Sequence, residues 1–406
     1  MKLKNIFLFA STVVLGMGMT SCADDDLGAS IFDTNDYPLD RSLYTFPLDT
    51  FAKKNFLEPF NLKYIYKMED IGSDLQKNLT PAAYDKAVDL AVLSKYLWYD
   101  VYSKLAGDKE VFLKLYSPRI IHVIGSASYN TSSGSETLGT AEGGLKITLY
   151  KVNSLNVNNI DFMNEYFFGT MHHEFSHILN QTYERPTAFN TISNGKYDMS
   201  SWTEKRDSVV LAQGFVTPYA SSQIREDWVE VIAQYITRDP LRWERMLDAA
   251  TYDWEDLDNI DEEWFNKLIT PGCNRDTIGY SYQTEGGTFK VYRKLVARNA
   301  AGYVELDKDG NIQYLKESGI NGKEVILKKL DMAREWLKTN FNIDIDKVRQ
   351  EVQSRQYVTN PDGTFKQDEN GQLINKLTSP TVSNPNVTLI DSLRNQVYSF
   401  KELQNK

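Results

Sequence analysis

The stretch that organises this sequence is HHEFSHILNQ, residues 172–181. Three of the four histidines in the 406-residue chain fall within six consecutive residues of it. His173 and His177 are four residues apart, so on a helix both imidazoles lie on one face and can reach a single metal ion. Glu174 lies about a quarter turn away, where its carboxylate can act as general base on a zinc-activated water. The pattern H-E-x-x-H therefore predicts a zinc site on a helix at about 161–180.

The third ligand of this site has to come from elsewhere in the chain. A catalytic zinc ion takes three protein ligands and keeps one position open. No histidine follows His177, so the ligand is expected to be an acid or, failing that, a tyrosine or cysteine. Glu184 lies close by, but a second predicted helix at 223–238 offers Glu226 and Glu230, four residues apart. One of these two can bind the metal while the other supports a ligand histidine, and the sequence leaves open which does so.

The remaining histidines and one cysteine are predicted to be structural. His172 lies off the face shared by His173 and His177, so it is expected to pack in the core or to support the site. His122 falls in the middle of a predicted strand, where a satisfied structural histidine is expected. Cys273 is expected to be a buried, inert thiol, because the only other cysteine belongs to the N-terminal signal.

The N-terminus has the features of a bacterial lipoprotein signal. Lys2 and Lys4 precede an apolar stretch at 6–19, and small residues stand directly before Cys22. We expect Cys22 to become the lipidated first residue of the mature protein. The acidic run at 23–26 resembles the surface-export signal of Bacteroidetes lipoproteins. The expected location is therefore the outer membrane, with the protein attached by lipid and exposed at the cell surface.

The domain boundaries follow from these features. Residues 1–22 are expected to form the signal peptide with its lipobox cysteine, and residues 23–45 a linker. Residues 46–275 are expected to form the catalytic domain. Residues 276–406 form a helical C-terminal region with a small hairpin, which can equally be part of the same domain.

Charge and composition exclude one class of partner. The net charge is −10, and no block of Lys and Arg stands out that could neutralise phosphates. Nucleic acid is therefore not an expected partner. A hydrophobic content of 41% is sufficient to fill a core in a chain of this length.

The segments around the motifs predict an α+β fold. A long helix is expected at 80–107, with Thr80 as its N-cap and Pro81 in its first turn. Two strands are expected at 119–125 and 145–152, separated by a loop rich in Gly and Ser.

Beyond residue 240 the chain is expected to be mostly helical. Apolar residues at helical spacing predict helices at 323–341 and 345–356, and two turn signals predict a small hairpin at 360–374. No internal repeat is evident in this part of the sequence.

The motifs together resemble a known class of enzyme. An H-E-x-x-H helix followed much later by E-x-x-x-E resembles the glutamate-ligand zincins, and the downstream spacing is similar to that of anthrax lethal factor. With the lipoprotein signal, the chain is similar to the zinc metallopeptidase lipoproteins of Bacteroidetes that are associated with TonB-dependent nutrient import. The resemblance implies a zincin-like catalytic domain with a small sheet, acting on a peptide or protein substrate, and a TonB-dependent importer as partner.

The resemblance also implies roles for individual residues. His173, His177 and Glu226 would bind zinc, and Glu174 would be the general base. Tyr219, seven positions before Glu226, would stabilise the oxyanion. Glu230 stands where many such enzymes have Asp. The resemblance further implies that an extended peptide pairs with the strand at 145–152.

Two other functions are compatible with the sequence. The first is a surface lipoprotein that binds nutrients for import and has a structural or inactive metal site. Glu174 argues against it, because a structural site needs no general base and is normally closed by a fourth protein ligand. The second is hydrolysis of a non-peptide amide, which would use the same residues.

Overall fold

The computed structural model describes residues 42, 44–68, 77–106, 109–130, 134, 136–142, 145–270 and 275–403. The predicted signal peptide, Cys22, nearly all of the predicted linker and Cys273 lie outside these residues. Contacts within the chain group Ser42–Lys406 into one unit. The predicted boundary at residue 275 stays a prediction.

Fifteen α-helices lie in the part of the chain that the structure describes. They are α1 Phe46–Ala52, α2 Glu58–Phe60, α3 Tyr84–Ser94, α4 Asp100–Leu105, α5 Lys109–Tyr116, α6 Ile160–Met163, α7 Gly169–Thr182, α8 Phe189–Ile192, α9 Asp207–Ala212, α10 Ile224–Thr237, α11 Pro240–Ala249, α12 Glu262–Ile269, α13 Gly322–Phe341, α14 Ile345–Gln356 and α15 Leu389–Tyr398. None of these helices is long and apolar enough to cross a membrane.

Three π-helical turns join successive helices into longer ones. Lys53–Leu57 connects α1 to α2, Lys95–Tyr99 connects α3 to α4, and Asn164–Phe168 connects α6 to α7. The helix predicted at 161–180 is therefore the continuous segment from α6 to α7. Both predicted helices in the C-terminal third are present as α13 and α14.

The start of the first long helix differs from the prediction. Thr80 is not an N-cap and Pro81 does not lie in a first turn, because α3 begins at Tyr84. The carbonyl of Thr80 accepts a hydrogen bond from the N–H of Gly125 at 2.8 Å, and Pro81 pairs with Ile124 as an isolated antiparallel bridge. These two residues therefore pair with Ile124 and Gly125 and are not part of the helix.

The main sheet has four strands and contains both predicted strands. The strands of the described residues are β1 Lys63–Ile65, β2 Ile120–Val123, β3 Ser128–Tyr129, β4 Glu136–Thr137, β5 Gly139–Glu142, β6 Lys146–Leu149, β7 Trp254–Ile260, β8 Ile278–Gln283 and β9 Phe289–Lys294. The main sheet has the order β1-β2-β6-β5. β1, β2 and β6 are parallel, and β5 is antiparallel to β6.

The strand order determines which strand of the main sheet can pair with a peptide. The prediction that a peptide pairs with residues 145–152 is wrong, because β6 is hydrogen-bonded to β2 on one side and to β5 on the other. β5 is the edge strand beside α7. A Cβ atom added at Gly139 would lie 2.3 Å from Cγ2 of Thr170, so only glycine allows β5 to approach the helix so closely.

Residues 278–316 contain more strand and turn than the sequence indicates. β8 and β9 form a three-stranded antiparallel sheet with β7, in the order β7-β9-β8. Turns and isolated bridges follow β9 and continue until α13 begins.

The C-terminal third also contains an internal repeat that the sequence analysis missed. Among the described residues an eight-residue turn motif occurs five times, as TEGGTFKV (284–291), NAAGYVEL (299–306), DKDGNIQY (307–314), NPDGTFKQ (360–367) and DENGQLIN (368–375). In each copy the fourth residue is a glycine with positive φ, and its N–H bonds to the carbonyl of the first residue. The N–H of the first residue bonds to the carbonyl of the fifth. This is a hairpin turn that requires a left-handed residue, which explains the glycine. The predicted hairpin at 360–374 consists of the last two copies.

Helices from the C-terminal third pack directly on the helices of the H-E-x-x-H region. Nδ2 of Asn164 donates to the carbonyl of Thr237 at 2.9 Å, and Nε2 of Gln356 donates to Oδ1 of Asn164 at 2.6 Å. This buried link joins the π turn before α7 to the ends of α10 and α14.

A buried ion pair makes a second link. Nζ of Lys329, on α13, lies 2.7 Å from Oδ2 of Asp227, on α10, and both side chains are 0% exposed. The same Nζ donates to the carbonyl of Gly214 at 2.7 Å. Because a buried charge is tolerated only when it is paired and hydrogen-bonded, this pair fixes α13 against α10.

Gly322→Ala is expected to destabilise the protein. The first residue of α13 lies so close to α9 and α11 that an added Cβ would stand 2.0 Å from the carbonyl oxygen of Leu211 and 2.7 Å from that of Ala250. We expect the free energy of unfolding in urea to fall by about 1–3 kcal/mol or more, although alanine is the better helix former.

Gly286→Ala is the matched control for this substitution. The nearest atom to an added Cβ at Gly286 is Oγ1 of Thr284, at 3.8 Å. Its effect should stay within about 0.5 kcal/mol. Equal stabilities of the two variants would contradict the close packing at Gly322.

Candidate metal centre

α7 presents the H-E-x-x-H residues from a buried helix. Its apolar side enters the core, where the ring of Phe175 meets those of Trp98 and Tyr102 at centroid distances of 4.8 and 5.2 Å. Since residues four apart share a face, His173 and His177 both lie on the side that faces α10. The packing of the apolar side therefore sets the direction of both imidazoles.

α10 supplies two carboxylates to the same place. Glu226 and Glu230 are buried and lie one turn apart on the helix. Asp227, next to Glu226, is paired with Lys329 of α13. The ion pair therefore fixes the rotation of α10 that directs both glutamates towards α7.

The two glutamates contact different atoms of the histidines. Oε2 of Glu226 lies 3.1 Å from Nε2 of His173 and 3.1 Å from Nε2 of His177. Oε1 of Glu230 lies 2.7 Å from Nδ1 of His173, on the opposite side of that ring. One ligand atom each from His173, His177 and Glu226 all lie within 4.8 Å of one another.

This arrangement fits a zinc ion in donor type and in spacing. Nitrogen and oxygen ligands at zinc distances in a tetrahedral shell lie roughly 3.3–3.5 Å apart, close to the two separations of 3.1 Å. His173, His177 and Glu226 could hold the ion, which leaves one position for water or substrate. Glu230 contacts the ring nitrogen that would face away from the metal, as expected for a carboxylate that orients a ligand histidine.

The second carboxylate oxygen of Glu226 is also hydrogen-bonded. Oε1 accepts hydrogen bonds from Nε of Arg225 at 3.0 Å and from Nε2 of Gln223 at 3.3 Å. These two contacts fix the plane of the carboxylate. Oε2 therefore stays directed at the two imidazoles.

The buried charges shift the pKa values of the site. Burial alone lowers the pKa of His173, but its hydrogen bonds with Glu226 and Glu230 outweigh burial and raise that pKa to about 10. Burial alone raises the pKa values of Glu226 and Glu230, but their hydrogen bonds with His173 lower both below the usual range. Both glutamates are therefore ionised at neutral pH and can bind or orient a cation.

Glu174 is the acid without a hydrogen-bonded partner. It is 8% exposed, and its side chain makes no hydrogen bond with any described residue. Burial raises the pKa of Glu174, and the nearby charges of His173 and His177 oppose part of this rise. A carboxylate with a raised pKa and no fixed partner is suited to take up a proton and release it.

Tyr219 lies over the site from a separate 3-10 turn, Tyr219–Ser221. Its ring centroid is 5.8 Å from that of His173 and 4.9 Å from that of Trp202. Burial raises the pKa of Tyr219, and the charges of Glu226 and Glu174 add to the rise. The phenol therefore stays protonated at neutral pH and can donate a hydrogen bond.

The structure also places the other candidate residues. His172 is buried in the aromatic core, where Nδ1 lies 3.1 Å from the hydroxyl of Tyr102 and burial lowers its pKa to about 3. His122 is buried in β2. Glu184 is exposed and outside the cluster, so it is not near the metal position.

Sequence reasoning missed two residues beside the site, Thr217 and Trp202. Thr217 donates a hydrogen bond to Glu230, and Trp202 packs on Tyr219. Neither stands at a recognisable spacing from the H-E-x-x-H motif, so the sequence carries no signal for them.

Comparisons with known proteins also point to zinc binding. A family model described as "Putative zinc-binding metallo-peptidase" matches residues 43–346, a range that includes every residue of the cluster. The chain is similar to a crystal structure of a "putative zinc-binding metallo-peptidase" from Bacteroides caccae, with 31% sequence identity and a TM-score of 0.54. The similarity covers 78% of this chain and 94% of that one. No curated protein matches the chain.

Glu226→Gln and Glu230→Gln make the same chemical change on the same helix and should differ in zinc affinity. Glu230→Gln keeps an oxygen that accepts from Nδ1 of His173, so we expect a loss of about 10–100-fold. Glu226→Gln replaces a proposed ligand by a neutral amide and should lose at least tenfold more. Competition with a chromophoric chelator measures both dissociation constants. The reverse order would mean that Glu230 is the metal ligand.

Proposed function

Since the chain belongs to the family of zinc-binding metallo-peptidases, we propose that it hydrolyses peptide bonds at a site formed by His173, His177 and Glu226. One observation carries the proposal: three ligand atoms lie within 4.8 Å of one another, beside a buried acid whose side chain has no hydrogen-bonded partner in the part of the chain that the structure describes. A structural zinc site needs four protein ligands and no such acid.

Glu174 is proposed as the general base. When bound, zinc would supply Lewis-acid chemistry, by lowering the pKa of water and polarising the scissile carbonyl. The carboxylate of Glu174 accepts the proton of the attacking water and then passes it to the leaving amine. Its burial supports this role, because burial raises the pKa of the carboxylate towards neutral pH, where a general base works best.

Glu230 and Tyr219 are proposed to assist the reaction in different ways. Glu230 accepts the Nδ1 proton of His173, which leaves Nε2 free to bind the metal. The protonated hydroxyl of Tyr219 donates to the oxygen that becomes negative as water attacks the carbonyl.

The substrate is proposed to be an extended peptide that lies along β5. Among the described residues this strand is paired with β6 on one side only, and Gly139 brings it against Thr170 of α7. Its free edge can form main-chain hydrogen bonds with a peptide of any sequence. Thr170 is three residues before His173, so this edge lies next to the metal position.

Glu174→Gln should abolish peptide hydrolysis without loss of zinc. The amide has nearly the same shape as the carboxylate but cannot accept a proton, so we expect kcat to fall by about 10²–10⁴-fold. Cleavage of a peptide library by the zinc-loaded protein measures the rate and also identifies the preferred sequence. Zinc content per chain is measured in parallel.

Glu184→Gln provides the matched control. Glu184 is exposed just beyond the end of α7 and lies outside the cluster, so this change should alter neither zinc content nor kcat. Zinc-loaded wild-type protein that cleaves no peptide would instead favour a binding protein with a structural or inactive metal site. Cleavage of non-peptide amides alone would narrow the activity to those substrates.

We further propose that the protein acts at the surface of the outer membrane. The support is the lipoprotein signal ending at Cys22 and the acidic run directly after it. A lipid anchor would keep the peptidase beside a TonB-dependent importer, which we propose as its partner. Peptides released at the surface would then reach the importer at high local concentration.

Cys22→Ala should release the protein from the membrane, because the thiol that carries the lipid is missing. The wild-type protein should fractionate with outer membranes and be removed from intact cells by external protease. The variant should be soluble, and only the wild-type protein should cross-link to an importer. A wild-type protein found in the soluble fraction would contradict the anchor.

A further inference from the structure

We infer that Thr217 is a positioning residue that ties the turn carrying Tyr219 to the carboxylate that orients His173. This inference rests on the proposed function, because it assigns a supporting role at the same site. Its basis is a single hydroxyl group with two hydrogen bonds, one towards each of these parts of the site.

The first hydrogen bond leads to the metal ligand. Oγ1 of Thr217 donates to Oε2 of Glu230 at 2.7 Å, and Oε1 of the same carboxylate lies 2.7 Å from Nδ1 of His173. A hydroxyl can donate only one hydrogen bond, and that of Thr217 is donated to the carboxylate of Glu230. Thr217 therefore holds one oxygen of Glu230 while the other oxygen holds the histidine.

The second hydrogen bond leads to the turn of Tyr219. Oγ1 of Thr217 accepts from the N–H of Ala220 at 3.0 Å. Pro218, the N-cap residue of the Tyr219–Ser221 turn, has no side-chain group that could make this bond. The threonine thus satisfies a backbone donor of the turn that carries the proposed oxyanion ligand.

The other donor to the same oxygen of Glu230 is weaker. Nε2 of Gln234 reaches Oε2 at 3.4 Å, compared with 2.7 Å for the hydroxyl of Thr217. A hydrogen bond of 3.4 Å is near the limit of a useful contact. Loss of the threonine hydroxyl would therefore leave Oε2 of this buried carboxylate without a strong donor.

Both hydrogen bonds of Thr217 lead to groups that contact the ring of His173. The ring of Tyr219 is 5.8 Å from the ring of His173, and Glu230 bonds to Nδ1 of the same ring. Thr217 is therefore connected to His173 through Glu230 and also, through the backbone N–H of Ala220, to the turn whose Tyr219 ring faces His173. A change at Thr217 should affect both metal affinity and the placement of the tyrosine hydroxyl.

Thr217→Val and Thr217→Ser form the primary test. Valine keeps the shape but removes both hydrogen bonds, whereas serine keeps the hydroxyl. We expect valine to weaken zinc affinity by about 10-fold and, at saturating zinc, to lower kcat with little change in KM. Serine should restore most of both losses. Thr217→Ala, which adds no methyl group against the carboxylate, replaces valine if that variant does not fold.

A double-mutant cycle with Tyr219→Phe separates positioning from general damage. If Thr217 acts on kcat through Tyr219, Thr217→Val should lower kcat much less in the Tyr219→Phe background than in the wild-type background. Equal effects in both backgrounds would overturn the link to the tyrosine. Thermal unfolding of each variant verifies that the fold is retained.

Three outcomes distinguish this inference from the proposed function. Zinc affinity and kcat of Thr217→Val within twofold of wild type, in an enzyme that cleaves peptides, would overturn the inference alone. Equal losses for serine and valine would also overturn it, since size and not the hydroxyl would then matter. A wild-type protein that binds zinc but cleaves nothing would overturn the proposed function, while the zinc affinities would still test the link to His173.

Discussion

The metal centre depends on one buried contact, in which Oε2 of Glu226 lies between Nε2 of His173 and Nε2 of His177. Transfer of an ionised carboxylate from water into a protein interior costs several kcal/mol unless charged or hydrogen-bonded partners compensate it. Glu226 and Glu230 both obtain such partners from His173. α7 and α10 can therefore come together only in the arrangement that brings these groups into contact. The chemistry of the site and the packing of the two helices impose the same geometry.

The C-terminal third stabilises this arrangement although it supplies no atom to the cluster. Lys329 pairs with Asp227 directly beside Glu226, and Gln356 bonds to Asn164 in the π turn before α7. A buried ion pair adds little net stability but is costly to break, so it favours one packing of the helices over others. The family match ends at residue 346 and so includes α13, which carries Lys329. This extent is expected if α13 is needed to fix α10.

The sequence predicts those features that depend on spacing along one element. H-E-x-x-H identifies α7 because helical geometry alone places His173 and His177 together. Spacing could not decide between Glu226 and Glu230, because both lie on one face of α10 and the choice depends on how far that helix is shifted along α7. The cap predicted at Thr80 was wrong for a similar reason, since residues directly after β2, distant in sequence, bond to its backbone instead. The turn repeat escaped notice because only its fourth position is fixed, as Gly, while its first position is Asn, Asp or Thr.

The balance of charge at the site favours the binding of a divalent cation. Three acids, Glu174, Glu226 and Glu230, surround two imidazoles, and without a metal the proton on His173 partly balances them. A divalent cation would replace this proton and offset more of the negative charge, so metal binding should be coupled to proton release. An acid such as Glu174, buried without a hydrogen-bonded partner among the described residues, adds a desolvation cost without stabilising the fold, and the proton-transfer role proposed for it would explain why it is there.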